Sequence, residues 1–478
     1  MTKIYPEREQ FNILKEKFSL IPLYLKIKAE EEPLAIYKKF RGENSFILLS
    51  SLFDGKLGKY SYIGFEPFLV FKSKGSKITI NGKVQEGNPF KILRQLIQKY
   101  KLNSPRGNLP LFYGGAVGYF AYDAVHFLEK IPNAKTDDIN APDIYFVFVN
   151  KSIIYDHEKN ELTLVILGND YEKSTAELKA IAQRLSNKIS DEKPSNKEIQ
   201  CKNLRFNFTK EQYINAIKKI LHYISIGDTY QVNLSQRLEA EISGDALAIF
   251  ENLIKINPSP FSAFLDFEDV KIISSSPERL IRLENGIAST RPIAGTRKRG
   301  KTPEEDKLLE EELRQNSKEN AEHTMLVDLE RNDLGKVCDY GTVKVDEIFT
   351  VEKYSHVMHL VSNVSGKLHP TKDAFDLFRA MFPGGTITGC PKIRTMEIIS
   401  EMEPTARGPY TGSLGYFNFS GDMDFNIIIR SIVMKGNKIY AQTGGGIVAD
   451  SNPEEEYKET LYKLQAMVDA VNGKRIRQ

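Results

Sequence analysis

Two segments of the 478-residue chain each carry a pair of glutamates three residues apart, Glu319 with Glu322 and Glu456 with Glu459. On a helix this spacing puts both carboxylates of a pair on one face. If the two faces oppose each other across a cleft, they make an oxygen-only cage suited to Mg2+, which keeps waters and takes an anionic substrate oxygen as a further ligand. Read alone, the same pairs are also what exposed helices ordinarily display. Lys463 lies one turn beyond Glu459 on the same face, and the triple glycine Gly444, Gly445 and Gly446 would let backbone N–H groups approach a carboxylate closely. Arg430 ends an apolar stretch, FNIIIR, that reads as a strand, where a guanidinium can grip a carboxylate with two hydrogen bonds. A surface lysine, a flexible loop and a strand-end arginine are the ordinary alternatives. Together these groups describe a pocket for a Mg2+-bound small molecule with several carboxylates.

Residues 290–299, TRPIAGTRKR, set a small-residue turn, Ala294-Gly295-Thr296, between Arg291 on one side and Arg297, Lys298 and Arg299 on the other. Bare backbone N–H groups, a hydroxyl and local positive potential suit a small anion, and the bland alternative is a solvated hairpin. Glu278 follows Ser276 and Pro277 at the end of an expected strand. A glutamate lifted in pKa by burial can protonate a leaving hydroxyl; its alternative is an ion pair with Arg279 or Arg282. His356 and His359 sit in a segment with strand-like alternation, either as hydrogen-bonded core residues or as catalysts, with no Cys or His cluster to form a zinc site.

The elements that must position these groups follow from periodicity and turn chemistry. Thr209 to Gln212 is a capping-box pattern opening a helix with Tyr213, Ile217, Ile220 and Ile224 on one face. Residues 229–238 alternate, with Tyr230, Val232 and Leu234 on one face and Gln231, Asn233, Ser235 and Arg237 on the other, towards water or a site. The acidic stretch 303–333 and residues 453–473 read as helical, and 372–402 as two helices split by Pro383-Gly384-Gly385. Residues 411–443 read as a meander of strands. Upstream, 77–84 is a hairpin turning at Asn81-Gly82, 143–167 a second hairpin, and 172–189 a helix. The polar stretch 186–204, with Pro194, reads as a linker. The chain therefore divides into an N-terminal α+β region (1–190), a linker (191–204) and a C-terminal region (205–475) expected to carry the chemistry.

Against 66 basic residues stand 63 acidic ones, so the net charge of +3 provides no global field for nucleic acid or an anionic membrane. Three scattered cysteines fit a reducing compartment. No stretch approaches the roughly 20 apolar residues of a membrane span. A soluble, cytoplasmic protein with no membrane or nucleic-acid partner is expected.

From about residue 205 to 470, ten ordered segments resemble the chorismate-utilising enzymes: GDTYQVNLSQR, SPERL, RPIAGT, ENAEHTMLVDLERND, HVMHLVS, FPGGTITGCPK, YTGSLGYF, IIIRS, GGGIVADS and EYKETLYK. LLSS at 48–51 and GKYSYIG at 58–64 look like the companion region that holds a tryptophan molecule in relatives. The resemblance implies an α+β fold, a large antiparallel β core of two sheets wrapped by helices with the site between the sheets. It implies Glu322 and Glu459 as Mg2+ ligands with Glu319 and Glu456 nearby. Around chorismate it puts Gly295, Thr296, His359, Thr386, Tyr410, Arg430, Gly444, Gly445, Gly446 and Lys463. Glu278 becomes the acid near the departing C4 hydroxyl, with Thr296 and His359 the other catalytic candidates, and Ser51, Pro260, Phe261 and Ser262 the residues of a tryptophan pocket.

In the family members that add water, a lysine that activates it stands where this chain has Gln231. A glutamine cannot deprotonate water, so isochorismate and salicylate are not expected products, whereas ammonia needs no such base. The chain carries no cysteine-nucleophile motif of a glutamine amidotransferase, and a separate amidotransferase subunit supplying ammonia is the expected partner. Many C4-aminating members have a lysine in place of Ala294, whose amine attacks C2 first; PIAGT closes that covalent route and matches the anthranilate-forming members. QVNLSQR, PFSAF at 260–264, GGTITG, MDFNIIIRS and GGGIVADS resemble the C4-aminating members more closely, and LLSS departs from the LLES of tryptophan-regulated members. The expected product is 4-amino-4-deoxychorismate for para-aminobenzoate and folate synthesis. The alternative is anthranilate plus pyruvate for tryptophan synthesis.

Overall fold

The computed structural model describes residues 3–51, 58–102, 106–133, 135–187, 199–353 and 357–473. Among these residues, two antiparallel sheets of 13 and 12 strands carry the fold, with helices packed against them. This is the α+β arrangement that the resemblance implied. Adjacent residues on a strand point to opposite faces, and that rule separates the cores. Leu265 and Ile272 of the first sheet join Phe146, Phe417 and Phe425 of the second in one cluster. Their neighbours Phe264 and Ile273 turn the other way, into a cluster with residues of helices Ala246–Ile256 and Pro453–Asn472.

Strand Ser45–Leu49 pairs with Phe261–Asp266 in the first sheet, and Gly115–Phe120 with Ser413–Asn418 in the second. Each sheet thus joins a block of strands from before the 186–204 stretch to a block from after it, and these two pairings are the seams; residues 188–198 of that stretch lie outside the described residues. Among the described residues, no helix is long and apolar enough to cross a membrane.

Local expectations resolve in instructive ways. The capping box forms, with Thr209 Oγ1 accepting from Gln212 N (3.2 Å) and Gln212 Oε1 from Thr209 N (2.9 Å), and opens helix Lys210–Ser225. The acidic stretch is two helices, Pro303–Gln315 and Ser317–Gly335, because Asn316 leaves the first and caps the second by accepting from Glu319 N at 3.1 Å. The alternating strand is Gln231–Ser243, and its polar residues from Gln231 to Arg237 are buried like its apolar ones. That settles its polar face: it looks into protein rather than water.

Two readings need correction. The triple glycine is part of strand Lys438–Ile447, where Gly444, Gly445 and Gly446 pair with Ser235, Leu234 and Asn233. Its lack of side chains makes room for neighbours rather than a loop: a Cβ on Gly446 would stand 2.2 Å from Gln231 Nε2, and one on Gly444 2.6 Å from Asn233 Oδ1. Arg430 does not end a continuous strand. Strand Met423–Ile427 stops short of it, and Arg430 adopts a left-handed φ of 49° before strand Ser431–Lys435 begins.

One buried ion pair ties the central segments together. Arg407, 2% exposed, bonds both oxygens of Glu403 (2.8 and 2.9 Å), the Asn233 carbonyl (2.7 Å), the Ile387 carbonyl (2.9 Å) and Thr411 Oγ1 (3.2 Å). Removing one partner of such a pair strands the other charge without water. Arg407→Met should therefore cost about 3–5 kcal/mol, read as a lower urea midpoint with an unchanged m-value; a wild-type midpoint would remove the pair from the account of stability.

Candidate active site

The turn at 294–296 is a bulge. Strand Ile293–Lys298 shifts register against Val357–Lys367 between Ala294 and Thr296, and Gly295 takes a φ of 65° there. A Cβ on Gly295 would meet Glu319 Oε2 and Leu313 Cδ1 at 2.9 Å, so both backbone angle and space require glycine. The bulge sets Thr296 opposite His359, with Thr296 Oγ1 2.9 Å and the Gly295 carbonyl 3.3 Å from His359 Nδ1. A carbonyl only accepts, so Nδ1 carries the proton and Nε2 is the acceptor nitrogen. Burial, and then the nearby Arg430 charge, push His359 down to about 4, so the ring is neutral at physiological pH.

Glu278 is 7% exposed and lies between strands Lys271–Ser276 and Arg279–Glu284. Burial pushes its carboxyl up to about 7, against the opposing pull of the Thr386 hydroxyl and the Arg430 guanidinium. The ion-pair alternative fails: Arg279 bonds Asp424 at 2.9 and 3.0 Å, and Arg282 bonds Glu284. Arg430 is partly buried, desolvation lowers its pKa, and its Nη1 donates to Asn257 Oδ1 at 3.3 Å. Thr386 lies in a short 3-10 turn, Gly385–Ile387, whose Thr386 carbonyl accepts from Asn233 Nδ2 at 3.3 Å.

The two glutamate pairs come from two helices, Ser317–Gly335 and Pro453–Asn472. Gln231 Nε2 donates to Glu322 Oε1 at 2.9 Å above Gly446, and a Cβ on Gly445 would stand 3.2 Å from Glu456 Oε2. The Tyr410 hydroxyl would be 3.0 Å from a Cβ on Gly444, whose carbonyl accepts from Lys463 Nζ at 3.1 Å. Each glutamate is bonded to a protein donor: Glu319 to Arg297 (3.0 Å), Glu322 to Gln231, Glu456 to Ser451 Oγ (2.7 Å) and Glu459 to Lys463 (2.7 Å). Among the described residues, no three His, Cys, Asp or Glu side chains stand close enough together to hold an ion. The donor set still fits Mg2+ in kind, because it offers oxygen alone on two helices flanking one glycine strand.

The residues expected around one small anion are thus brought to one region: Gly295, Thr296, His359, Arg430, Glu278, Thr386, Tyr410, Gly444 to Gly446, Lys463 and the four glutamates. His356 lies outside the described residues. The N-terminal companion region borders a separate cavity of about 730 Å³, with Ser50, Pro260, Phe261 and Ser262 in its lining. Ser51 lies behind that wall, bonding the Ser259 carbonyl (2.9 Å) and Ser262 Oγ (2.8 Å).

Residue-level reading missed three groups. Arg407 and Glu403, four residues apart, look like a surface helix pair. Glu330 was absorbed into the acidic stretch, yet it is 4% exposed, and burial, reinforced by Asp333 and Glu278, pushes it up to about 8. The available signal was its flanking by Leu329 and by the Leu326-Val327 pair, which marks a buried stretch of that helix.

A family model described as chorismate binding enzyme matches residues 45–469. The chain is 42% identical to anthranilate synthase component 1 of Acetivibrio thermocellus, covering 98% of both chains. It is 43% identical to aminodeoxychorismate synthase component 1 of Bacillus subtilis, covering 87% of this chain and 89% of that one. The crystal structure of anthranilate synthase component I from Streptococcus pneumoniae superimposes with a TM-score of 0.79 at 32% identity, covering 92% of this chain and 98% of that one. The fold, the convergence of these residues and the match along most of its length establish that this chain belongs to the chorismate-binding enzyme family.

Proposed function

We propose that this enzyme aminates chorismate with ammonia received from a separate glutamine amidotransferase subunit, giving 4-amino-4-deoxychorismate. The observation that carries amination over hydration is Gln231. An amide that donates to Glu322 at 2.9 Å occupies the position where water-adding relatives have a basic lysine. Its Oε1 and Asn233 Oδ1 are buried acceptors without a protein partner, which suits a nucleophile bearing N–H groups. Component 1 of the relatives is by name one part of a two-part synthase, which supports the amidotransferase partner.

In this reading Arg430 and Lys463 hold the carboxylates of chorismate, and neutral His359, fixed by Gly295 and Thr296, accepts a hydrogen bond through Nε2. Mg2+, held by Glu322 and Glu459 with Glu319 and Glu456 beside them, would take up a substrate carboxylate and stabilise negative charge on it. Ammonia forms the new C–N bond directly, since Ala294 offers no amine; the C4–O bond breaks, and Glu278 gives its proton to the departing oxygen, which leaves as water. The motifs QVNLSQR, GGTITG and GGGIVADS support amination at C4. The second reading, C2 amination to anthranilate with loss of pyruvate, is favoured by Ala294 and by the full-length match to an anthranilate synthase component.

Chromatography of the reaction with chorismate, Mg2+ and ammonium decides between them. An intermediate that yields 4-aminobenzoate only when a lyase is added supports C4 amination; fluorescent anthranilate with pyruvate replaces it with the second reading, and unchanged chorismate removes both. Because Glu278 must be protonated to act, kcat at constant free ammonia should fall about tenfold per pH unit above about 7. Glu278→Gln should bind chorismate and not turn it over, and loss of binding instead would make Glu278 a substrate contact. Glu459→Gln should abolish activity by weakening Mg2+ binding, and full activity at ordinary Mg2+ would remove that glutamate from the metal site.

A further inference from the structure

The glutamate pairs bring four negative charges to the neighbourhood of one site, and such a site must balance that charge at every stage of its cycle. Two of the four are balanced by cations of the chain itself. Lys463 stands one helical turn from Glu459, at 2.7 Å, and its ammonium also donates to the Gly444 carbonyl. Arg297 comes from a different element, the strand that carries Gly295 and Thr296, and it makes a fork. Its Nη1 bonds Glu319 Oε1 at 3.0 Å, while Nε and Nη2 bond the two oxygens of Glu312 on the preceding helix. Glu312 is half-exposed and lies outside the glutamate pairs.

We propose that Arg297 and Lys463 are built-in counter-ions that a divalent cation displaces, so that metal binding at the glutamate cage is an exchange of cations rather than an addition. The inference rests on the reading that this cage takes Mg2+. The geometry gives each displaced cation somewhere to go. Arg297 keeps its two-point contact with Glu312 when Glu319 is taken, so no charge is stranded. Lys463 is released from Glu459 beside the Gly444 carbonyl, where an ammonium can meet a carboxylate of the substrate. Exchange of this kind links the two ligands: whatever frees Lys463 favours the incoming carboxylate, and the same coupling runs in reverse.

The linkage fixes the sign of the test. Removing Arg297 costs the contact with Glu312 in both states, and costs Glu319 its counter-ion only in protein stripped of divalent ions. Arg297→Gln should therefore bind Mn2+, followed by its electron paramagnetic resonance signal, and Mg2+, followed by calorimetry, about threefold to fivefold more tightly than the wild type. The stripped variant should melt below the stripped wild type, and the gap should narrow as Mg2+ saturates both. Arg297→Lys, which keeps a cation, should return affinity towards the wild-type value. Unchanged or weaker affinity for Arg297→Gln, with a melting gap as wide at saturating Mg2+ as in the stripped proteins, would overturn the exchange and make Arg297 a structural brace. Failure of the wild type to bind either ion would overturn the cage reading, and the exchange with it.

Discussion

The site hangs on a guanidinium that water does not reach. Burying Arg407 costs several kcal/mol unless every donor is met, and here both Glu403 oxygens, two carbonyls and a hydroxyl meet it. The same pair extends outwards, because Glu403 Oε1 also accepts from Ser235 N and Oγ, and Ser235 Oγ accepts from Gln442 Nε2. One charge pair thereby spans the strand with Gln231 and Asn233, the turn with Thr386, the segment with Tyr410 and the glycine strand. Tyr122 and Tyr410 flank the guanidinium at 4.8 and 5.8 Å, which brings the N-terminal region into the same unit.

Around this anchor the site divides into a dry end and a wet end. At the dry end, burial pushes Glu278 up to about 7 and His359 down to about 4, so that near pH 7 a large share of Glu278 still holds a proton to give while His359 is neutral and accepts. At the wet end, Glu459 and Lys463 remain half-exposed and pair with each other at 2.7 Å. Acid chemistry and charge binding need opposite surroundings, and the buried Glu278 and the half-exposed Glu459 supply one each.

Local rules made the parts legible. The i, i+3 glutamates, the capping box at Thr209 and the Asn81-Gly82 hairpin, where both turn residues take positive φ, each follow from neighbours in sequence. What local rules could not show was which segments meet. Arg407 and Glu403 have the spacing of an exposed helix pair, and only a strand more than a hundred residues upstream reveals them as buried. The triple glycine read as a loop because glycine weakens strands; pairing with Asn233, Leu234 and Ser235 overrides that preference, and the amide side chains of Gln231 and Asn233 use the room. Arg430 read as a strand end because nothing local to FNIIIR announces the left-handed turn that lifts it out of the ladder.

The joining of an early block of strands to a late block in each sheet has a kinetic consequence. Gly115–Phe120 has its partner in Ser413–Asn418, and Ser45–Leu49 has its partner in Phe261–Asp266. Neither sheet can close while the ribosome is still making the final quarter of the chain, so the first half waits with unpaired strand edges. Loop-closure entropy of this size slows folding and exposes those edges to other chains. In each sheet the edge that stays open longest is the seam strand of the early block, Ser45–Leu49 in one and Gly115–Phe120 in the other.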